Sequence, residues 1–368
     1  MITIGNVSGK WPQKMARPGT GRKIVTFRAI MVGCGGMSKG WIKALQDAPE
    51  LKGAVEIVGL VDLNLAAAES LRSEFALTNA VVGTDLETVL RDTKPNLLFD
   101  ITVPTARLKC VLTGLANGCH VLTEKPMAES LNDAHKMIAA AKAAGRIYAV
   151  VQNRRYIEGI RRIRQTIENG TLGKLTALHA DFFIGAHFGG FREQMKNVLL
   201  LDMSIHTLDA ARFIVGADPV AVYAQESNPS GSWYSHGAAA NAIFEFSDDV
   251  IFTYRGSWVA EGAQTSWEST WRIIGTNGTL LWDGADKFEA HVVADNSGFH
   301  RPLRDVVVPP APHPSQTHGH ASVIAAFLKA VETGQAPETA GNDNIKSLAM
   351  VLAAIESGRT QQRIKIEV

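Results

Sequence analysis

The stretch Gly33-Cys34-Gly35-Gly36-Met37-Ser38 constrains this chain more than any other. It follows the apolar run Phe27-Arg28-Ala29-Ile30-Met31-Val32 and precedes a helical segment over residues 37–47. A strand can turn this abruptly into a helix only where the backbone accepts unusual φ values or close approach, and glycine accepts both. The first N–H groups of the helix are then left without partners at the edge of the sheet, where they favour phosphate oxygens. A pyrophosphate-bearing dinucleotide is the ligand such a loop suits. Ser38 stands where a third glycine is usual. Asp62, closing the next apolar run Val55–Val61, adds a carboxylate able to hold ribose hydroxyls. Gly33, Cys34, Gly35, Gly36, Met37 and Asp62 are therefore the candidate cofactor-binding residues. NAD rather than NADP is expected, because Asp62 repels a 2′-phosphate and Leu63-Asn64 bring no cation to offset it.

Further apolar runs at 97–102, 120–123 and 147–151 alternate with helical patterns at 65–76, 105–117 and 130–144. That alternation predicts a parallel sheet with crossover helices. After a helical segment at 157–168 the period changes. Short β-rich segments near 176–183, 220–226, 239–246, 250–258, 271–275, 279–283 and 287–293 are separated by turn signals such as Thr276-Asn277-Gly278, which predicts an antiparallel meander. One long helix at about 198–215 interrupts it, and helices near 319–333 and 342–357 close the chain. The organisation expected is a basic arm at 1–24, a dinucleotide-binding Rossmann domain at 25–150, and a substrate and oligomerisation domain at 151–368.

Composition narrows the function classes. A chain of 368 residues has room for two domains of roughly 150 residues each. The formal net charge of +1 gives no reason to expect nucleic acid as a partner. No apolar run approaches the roughly 18 residues of a membrane helix. Cys34, Cys110 and Cys119 form no CxxC pair, which fits a reducing compartment. The basic N-terminus has no apolar core of a secretory signal, so the expected location is cytoplasmic.

Glu124-Lys125-Pro126 follows the strand run His120–Thr123, on the sheet edge where doubly wound folds bind ligands. Lys125 there can hold a substrate hydroxyl or assist a proton transfer; a loop lysine is otherwise a solvated surface residue. In the stretch 198–215, Asp202, His206 and Asp209 fall at i, i+4 and i+7, on one face of a helix that is otherwise apolar. Ionisable groups in a buried helix need partners. Those partners can be catalytic, a metal, or other protein groups. Catalysis without a metal is expected for Asp202 and His206, and a satisfied contact with Arg212 or the neighbouring domain for Asp209. Trp258, Trp267 and Trp271 can stack on a pyranose face or fill a sheet core.

Taken in order, GCGGM, Asp62, Glu124-Lys125-Pro126 and Asp202-x-x-x-His206 resemble the Gfo/Idh/MocA oxidoreductases, from about residue 27 to the end. Asn153-Arg154-Arg155-Tyr156, Gly170-Thr171-Leu172-Gly173-Lys174 and Gly275-Thr276-Asn277-Gly278 resemble further landmarks of that family. The resemblance implies an α/β Rossmann domain plus an α+β domain with a large, mostly antiparallel open sheet. It implies an NAD(P) cofactor and hydride transfer involving a secondary hydroxyl of a sugar, polyol or sugar derivative. It implies catalytic roles for Lys125, Asp202 and His206, places Pro104, Glu124 and Lys125 beside the cofactor, and puts Arg154, Tyr156 and Trp267 at the substrate. Two departures stand out. Leu108 lies four residues after Pro104, where the family often has His, and Val198-Leu199-Leu200-Leu201 replaces a glycine cluster. Alternatives are an NAD-assisted lyase or hydrolase, marked by no net change in NADH, and a nucleotide-binding sensor, which has no need of a base. A homodimer or homotetramer is expected, since a meander leaves a face open and Ala239–Phe246 alternates apolar residues.

Overall fold

The computed structural model describes residues 27–368, and the expected basic arm at 1–24 lies outside them. The first half forms β1 (Phe27–Val32), α1 (Gly36–Asp47), β2 (Val55–Val61), α2 (Leu65–Glu74), β3 (Val81–Gly83), α3 (Leu86–Thr93), β4 (Leu97–Asp100), α4 (Pro104–Ala116), β5 (His120–Thr123), α5 (Leu131–Ala144) and β6 (Tyr148–Val150). The strands are all parallel, in the order β3-β2-β1-β4-β5-β6. This is the Rossmann order, whose sense reverses between β1 and β4 and opens a crevice beyond their C-terminal ends. Every residue of β4 and β6 is buried, as expected for a sheet covered on both faces. The β3–α3 unit had no apolar run to announce it: β3 is three residues long and only partly buried. Asp85 caps α3, accepting from Thr88 N at 2.8 Å.

The second half forms α6 (Glu158–Glu168), β7 (Leu175–Phe183), α7 (Phe191–Gln194), a π-helical turn at Leu199–Ser204, α8 (Ile205–Val215), β8 (Pro219–Ser227), β9 (Ala239–Phe246), β10 (Ile251–Ser257), β11 (Thr270–Gly275), β12 (Gly278–Trp282), β13 (Phe288–Val293), β14 (Leu303–Asp305), α9 (His320–Thr333), α10 (Gly341–Thr360) and β15 (Ile364–Lys365). Nine strands make one sheet in the order β14-β13-β12-β11-β7-β10-β9-β8-β15. It is not the simple meander that the turn signals predict. β7 inserts between β10 and β11, parallel to the first and antiparallel to the second. The link from β10 to β11 is thereby freed to run across the sheet end, and it carries Trp258 and Trp267.

Alternation along the strands separates two faces. In β9, Ala240, Ala242, Phe244 and Phe246 are buried, while Asn241 and Ile243 are exposed. The buried face joins Leu208 and Ile214 of α8, Ile160 of α6 and Met350 of α10 in one core. The other face is an open trough of about 880 Å³ lined by His179, Asp181, Tyr223, Ile243, Arg255 and Arg272 among others. The last two helices fasten the halves together. α9 buries Ile324 and Phe327 in the same core as Trp41 and Phe99 of the first half. α10 sends Ile345 and Leu348 into the other layer of that half and Val351 into the second. No helix among the described residues is long and apolar enough to cross a membrane.

Candidate active site

The glycine loop has the shape its sequence asks for. Gly33 has φ +90°, and a Cβ there would lie 2.6 Å from the Ile101 carbonyl oxygen, so β1 and the end of β4 can meet only over glycine. At Gly35 and Gly36 a Cβ would meet nothing within 4 Å, which leaves open space before the loop. Gly35 starts α1 with no side-chain cap, and the first turn holds no acidic residue. The N-terminal N–H groups are thus free for an anion. Ser38, in place of the third glycine, is buried and donates to the Gly35 carbonyl.

Asp62 is tied to this loop. Its carboxylate accepts from Cys34 N at 2.7 Å and from Asn64 N at 2.8 Å. Cys34 is buried, and burial followed by the Asp62 charge pushes its thiol up to about 12, which rules it out as a nucleophile at neutral pH. Met37 is exposed in the first turn of α1, and Pro104 opens α4 on the far side of the crevice. Glu124 points the other way. Its carboxylate is buried, accepting from the Trp41 indole at 2.7 Å and Lys125 N at 3.2 Å, with the His320 Nε2 3.3 Å away. Burial opposes its ionisation, but the His320 contact and the Trp41 and Lys125 interactions outweigh that and hold it below the usual range. The contact with Lys125 N ties the carboxylate to the backbone from which Lys125 projects.

Lys125 reaches from the end of β5 to the π turn. Its Nζ donates to Asp202 Oδ1 at 2.9 Å and to the Asp202 carbonyl oxygen at 2.7 Å. The other oxygen of Asp202 accepts from Arg192 Nε at 2.7 Å. Burial works against the Asp202 charge, yet Lys125 and Arg192 together keep the carboxyl below its ordinary range. The stretch expected as one helix is helical throughout, but its first part, Leu199–Ser204, is π-wound and holds Asp202, and α winding starts at Ile205. Such turns are frequent at functional sites because they re-aim side chains. Asp202 is therefore turned to the two cations and makes no hydrogen bond with His206 among the described residues.

His206 sits in the first turn of α8, and its Nδ1 is buried without a partner. Burial, then the charges of Lys125, Arg154 and His320, hold its imidazole neutral, well below the ordinary 6.5. Arg154, Trp267 and Glu268 lie against it. Arg154 and Glu268 are 2.8 Å apart but poorly aligned. Trp267 is 44% exposed, whereas Trp258 and Trp271 are core residues at 1% and 3%, so one indole of the three offers a face to a ligand. Tyr156 is not brought to the site. It is buried at 1% with the Arg161 guanidinium 4.6 Å from its ring.

Asp209, on the same helical run, belongs to a separate sealed cluster. Arg155 grips its two oxygens at 2.7 and 2.8 Å, and Ser347 donates to it at 2.5 Å. Asp100 is likewise sealed, accepting from Arg107 Nε at 3.1 Å and Thr123 Oγ1 at 2.6 Å, and this pair stiffens the ends of β4 and β5. An acidic residue closing an apolar strand run was its signal. Arg192, Glu268 and His320 carry no comparable signal, since each reaches the site from an irregular segment or another element.

Residues 27–152 match the oxidoreductase family with an NAD-binding Rossmann fold, and residues 160–281 match the GFO/IDH/MocA C-terminal domain. The chain belongs to the Gfo/Idh/MocA family. It is an oxidoreductase with an NAD-binding Rossmann fold. The 1,5-anhydro-D-fructose reductase of Ensifer adhaerens is 25% identical over 324 residues, 85% of this chain and 91% of that one. The D-apiose dehydrogenase of Paraburkholderia graminis is 26% identical over 363 residues, 93% of this chain and 90% of that one. Among solved structures, a levoglucosan dehydrogenase in complex with NADH and levoglucosan superposes with a TM-score of 0.79 at 18% identity, covering 93% of this chain and all of that one. At that identity the likeness speaks for the fold.

Proposed function

We propose that this enzyme transfers hydride between NAD and a secondary hydroxyl of a sugar, polyol or sugar derivative, with Lys125, Asp202 and His206 at the reacting oxygen. The observation that carries this reading is the contact of Lys125, at the cofactor edge of β5, with Asp202, one turn before a neutral His206 whose Nδ1 lacks a partner. The named activities of the two relatives, on an anhydro sugar and on apiose, support the substrate class.

Residues Gly33–Met37 and Asp62 fit the pyrophosphate and ribose of NAD, and Pro104 and Lys125 border the same crevice. When bound, the nicotinamide accepts or returns the hydride. Lys125 donates to the substrate oxygen and favours its alkoxide form. His206 takes the hydroxyl proton. Its basicity is held down first by burial and then by neighbouring positive charge, and negative charge growing on the oxygen offsets the second of these at the moment the proton moves. Asp202 keeps Lys125 in place. Trp267 offers its exposed face to the ring of the substrate. A 2′-phosphate would meet the Asp62 carboxylate, so kcat/KM should be higher with NAD than with NADP. The open sheet face, with Tyr223 and Ile243 about half exposed, pairs with a second copy of the chain; light scattering at micromolar concentration would reveal a monomer if this pairing is wrong.

The test begins with a screen of sugars, polyols and their keto forms, followed by absorbance of NADH. On the best substrate, Lys125→Met and His206→Ala should each lower kcat by roughly 10²–10⁴. NADH binding, followed by fluorescence, should change little, because neither residue touches the glycine loop or Asp62. Normal turnover in both variants would overturn the site.

A further inference from the structure

Arg192 reaches Asp202 from a segment that is held in place on several sides. Gly189 and Gly190 precede α7 with φ +67° and +68°. The Ala186 carbonyl accepts from Trp233 Nε1 at 3.2 Å and Tyr234 Oη at 2.8 Å, and the Glu193 carbonyl accepts from Ser235 N at 2.7 Å. The Arg192 guanidinium lies 5.1 Å from the Phe188 ring and 4.9 Å from the Phe191 ring, a distance at which aromatic faces hold a cation. Phe188 and Phe191 are themselves exposed, and the Phe188 ring centroid is 6.2 Å from that of Trp267. The fold thus delivers one guanidinium to one oxygen of Asp202, next to the aromatic mouth of the site.

We propose that Arg192 is a positioning residue of the reaction: by taking Oδ2 of Asp202 it leaves Lys125 only Oδ1 and the backbone carbonyl, so that the ammonium stays at the reacting oxygen without being locked in a closed one-to-one ion pair. This rests on the assignment of Lys125 and Asp202 to the reacting site. The charged and titratable groups around Lys125 and Asp202 are Glu124 just after β5, Glu193 of α7, His206 of α8, His320 of α9, Arg154 after β6 and Tyr234 before β9. Glu124 is engaged by Trp41 and His320, and Arg154 pairs with Glu268. Among the described residues no other cation pairs with the Asp202 carboxylate.

Removing Arg192 acts twice in the same direction. Asp202 gives its whole charge to Lys125, and a like charge near the ammonium disappears. Both effects hold the proton on Lys125 more tightly. Two unit charges a few ångströms apart near a protein surface interact strongly enough to move such a titration by about one pH unit.

Two measurements test this. Acylation of Lys125 by an amine-reactive reagent, followed by mass spectrometry across pH in the unliganded protein, reports the fraction of free amine and so the midpoint at which the ammonium gives up its proton. The midpoint in Arg192→Gln should rise by about one pH unit, and Arg192→Lys should return it most of the way. On the identified substrate, Arg192→Gln should lower kcat at pH 7 by about tenfold with KM within about threefold, because Lys125 is drawn into a closed pair with Asp202 and away from the reacting oxygen. An unmoved Lys125 midpoint overturns the proposal, as does a change confined to KM. Arg192→Lys guards against misfolding: if it folds but behaves like Arg192→Gln, charge sharing is not the reason and the proposal fails. Lys125→Met is assayed alongside. If it is fully active, the site itself is misassigned; if it is inactive while Arg192→Gln is normal, only the role of Arg192 falls.

Discussion

Asp202 and Asp209 lie on one helical run with the same polar spacing, yet their surroundings differ at every partner. Asp209 is wholly buried and held by Arg155, Ser347 and, at 3.8 Å, Arg212. The two arginines also share Asp343, at 2.7 and 2.9 Å. Those side chains come from the 3-10 turn after β6, from α8 and from α10, so the network binds the halves of the molecule, with Asp209 at its buried centre and Asp343 at its solvent edge. Asp202 is 13% exposed and its partners are a lysine from the sheet edge and an arginine from the short helix α7. Its network opens toward the crevice, and beside it His206 Nδ1 lacks a partner. A buried carboxylate whose every lone pair is taken from inside is structural. One whose partners also face a ligand's space is available for chemistry.

The sharpest way to break this contrast is Asp209→Ala. It would leave Arg155 and Arg212 buried with one carboxylate between them, and removing one partner of such a network costs about 3–5 kcal/mol. Urea unfolding should show that loss, and the folded fraction should turn over substrate at the normal rate. Asp202→Asn should do the opposite. The unfolding free energy should change less than for Asp209→Ala, since the amide still accepts from one cation and Arg192 is partly exposed. The rate should fall by about 10²-fold, because Lys125 loses the charge that holds it. Equal effects of the two substitutions on stability would dissolve the distinction.

A smaller effect sharpens the same contrast through pH. The His206 imidazole in the folded protein lies well below its ordinary 6.5. Between those two values the unfolded chain binds a proton that the folded chain refuses. Stability therefore falls as pH drops below about 6.5, by at most about 1.4 kcal/mol per pH unit, until the folded imidazole itself protonates. Asp202 and Asp343 are lowered from 3.8, so their contributions are lost only further into acid and do not enter this window. Urea midpoints at pH 7.5 and 5.5 should diverge more for the wild type than for His206→Gln. Parallel behaviour would mean that the ring takes its proton as easily folded as unfolded.

How far the sequence was legible follows the range of the interactions. The glycine loop, Asp62 and the buried strands are local patterns, and they fell where the residues indicated. So did the sealed role of Asp209, because a carboxylate amid apolar helix positions must find a partner. What escaped needed tertiary contact. The insertion of β7 between β10 and β11 leaves no mark in turn residues. The π turn at Leu199–Ser204 has no local signal, since the apolar Val198–Leu201 run reads equally well as ordinary helix. Arg192 sits in the four-residue helix α7, whose meaning depends on an aspartate ten residues away. Tyr156 shows the converse: its neighbours Arg154 and Arg155 reach the site and the sealed cluster, while the tyrosine ring turns into the core under Arg161.

The smallest expected effect tests the network around Asp209 at its most replaceable member. Ser347 Oγ donates to Asp209 Oδ1 at 2.5 Å and accepts from Arg212 Nη1 at 2.9 Å, with no solvent contact. Ser347→Ala removes both bonds but not the charges around them. Asp209 Oδ1 keeps Arg155 Nη2 at 2.8 Å, and Arg212 keeps Asp343. The loss should therefore be that of a hydrogen bond to a charged group with its partner still satisfied, about 1–2 kcal/mol rather than the 3–5 kcal/mol of the aspartate itself. It should appear as a lower urea midpoint at unchanged slope. Turnover should stay as it is, since nothing in the cluster touches Lys125, Asp202 or His206. If instead turnover falls while the midpoint holds, the cluster transmits to the site through α8, and the separation between a sealed aspartate and a working one does not describe this helix.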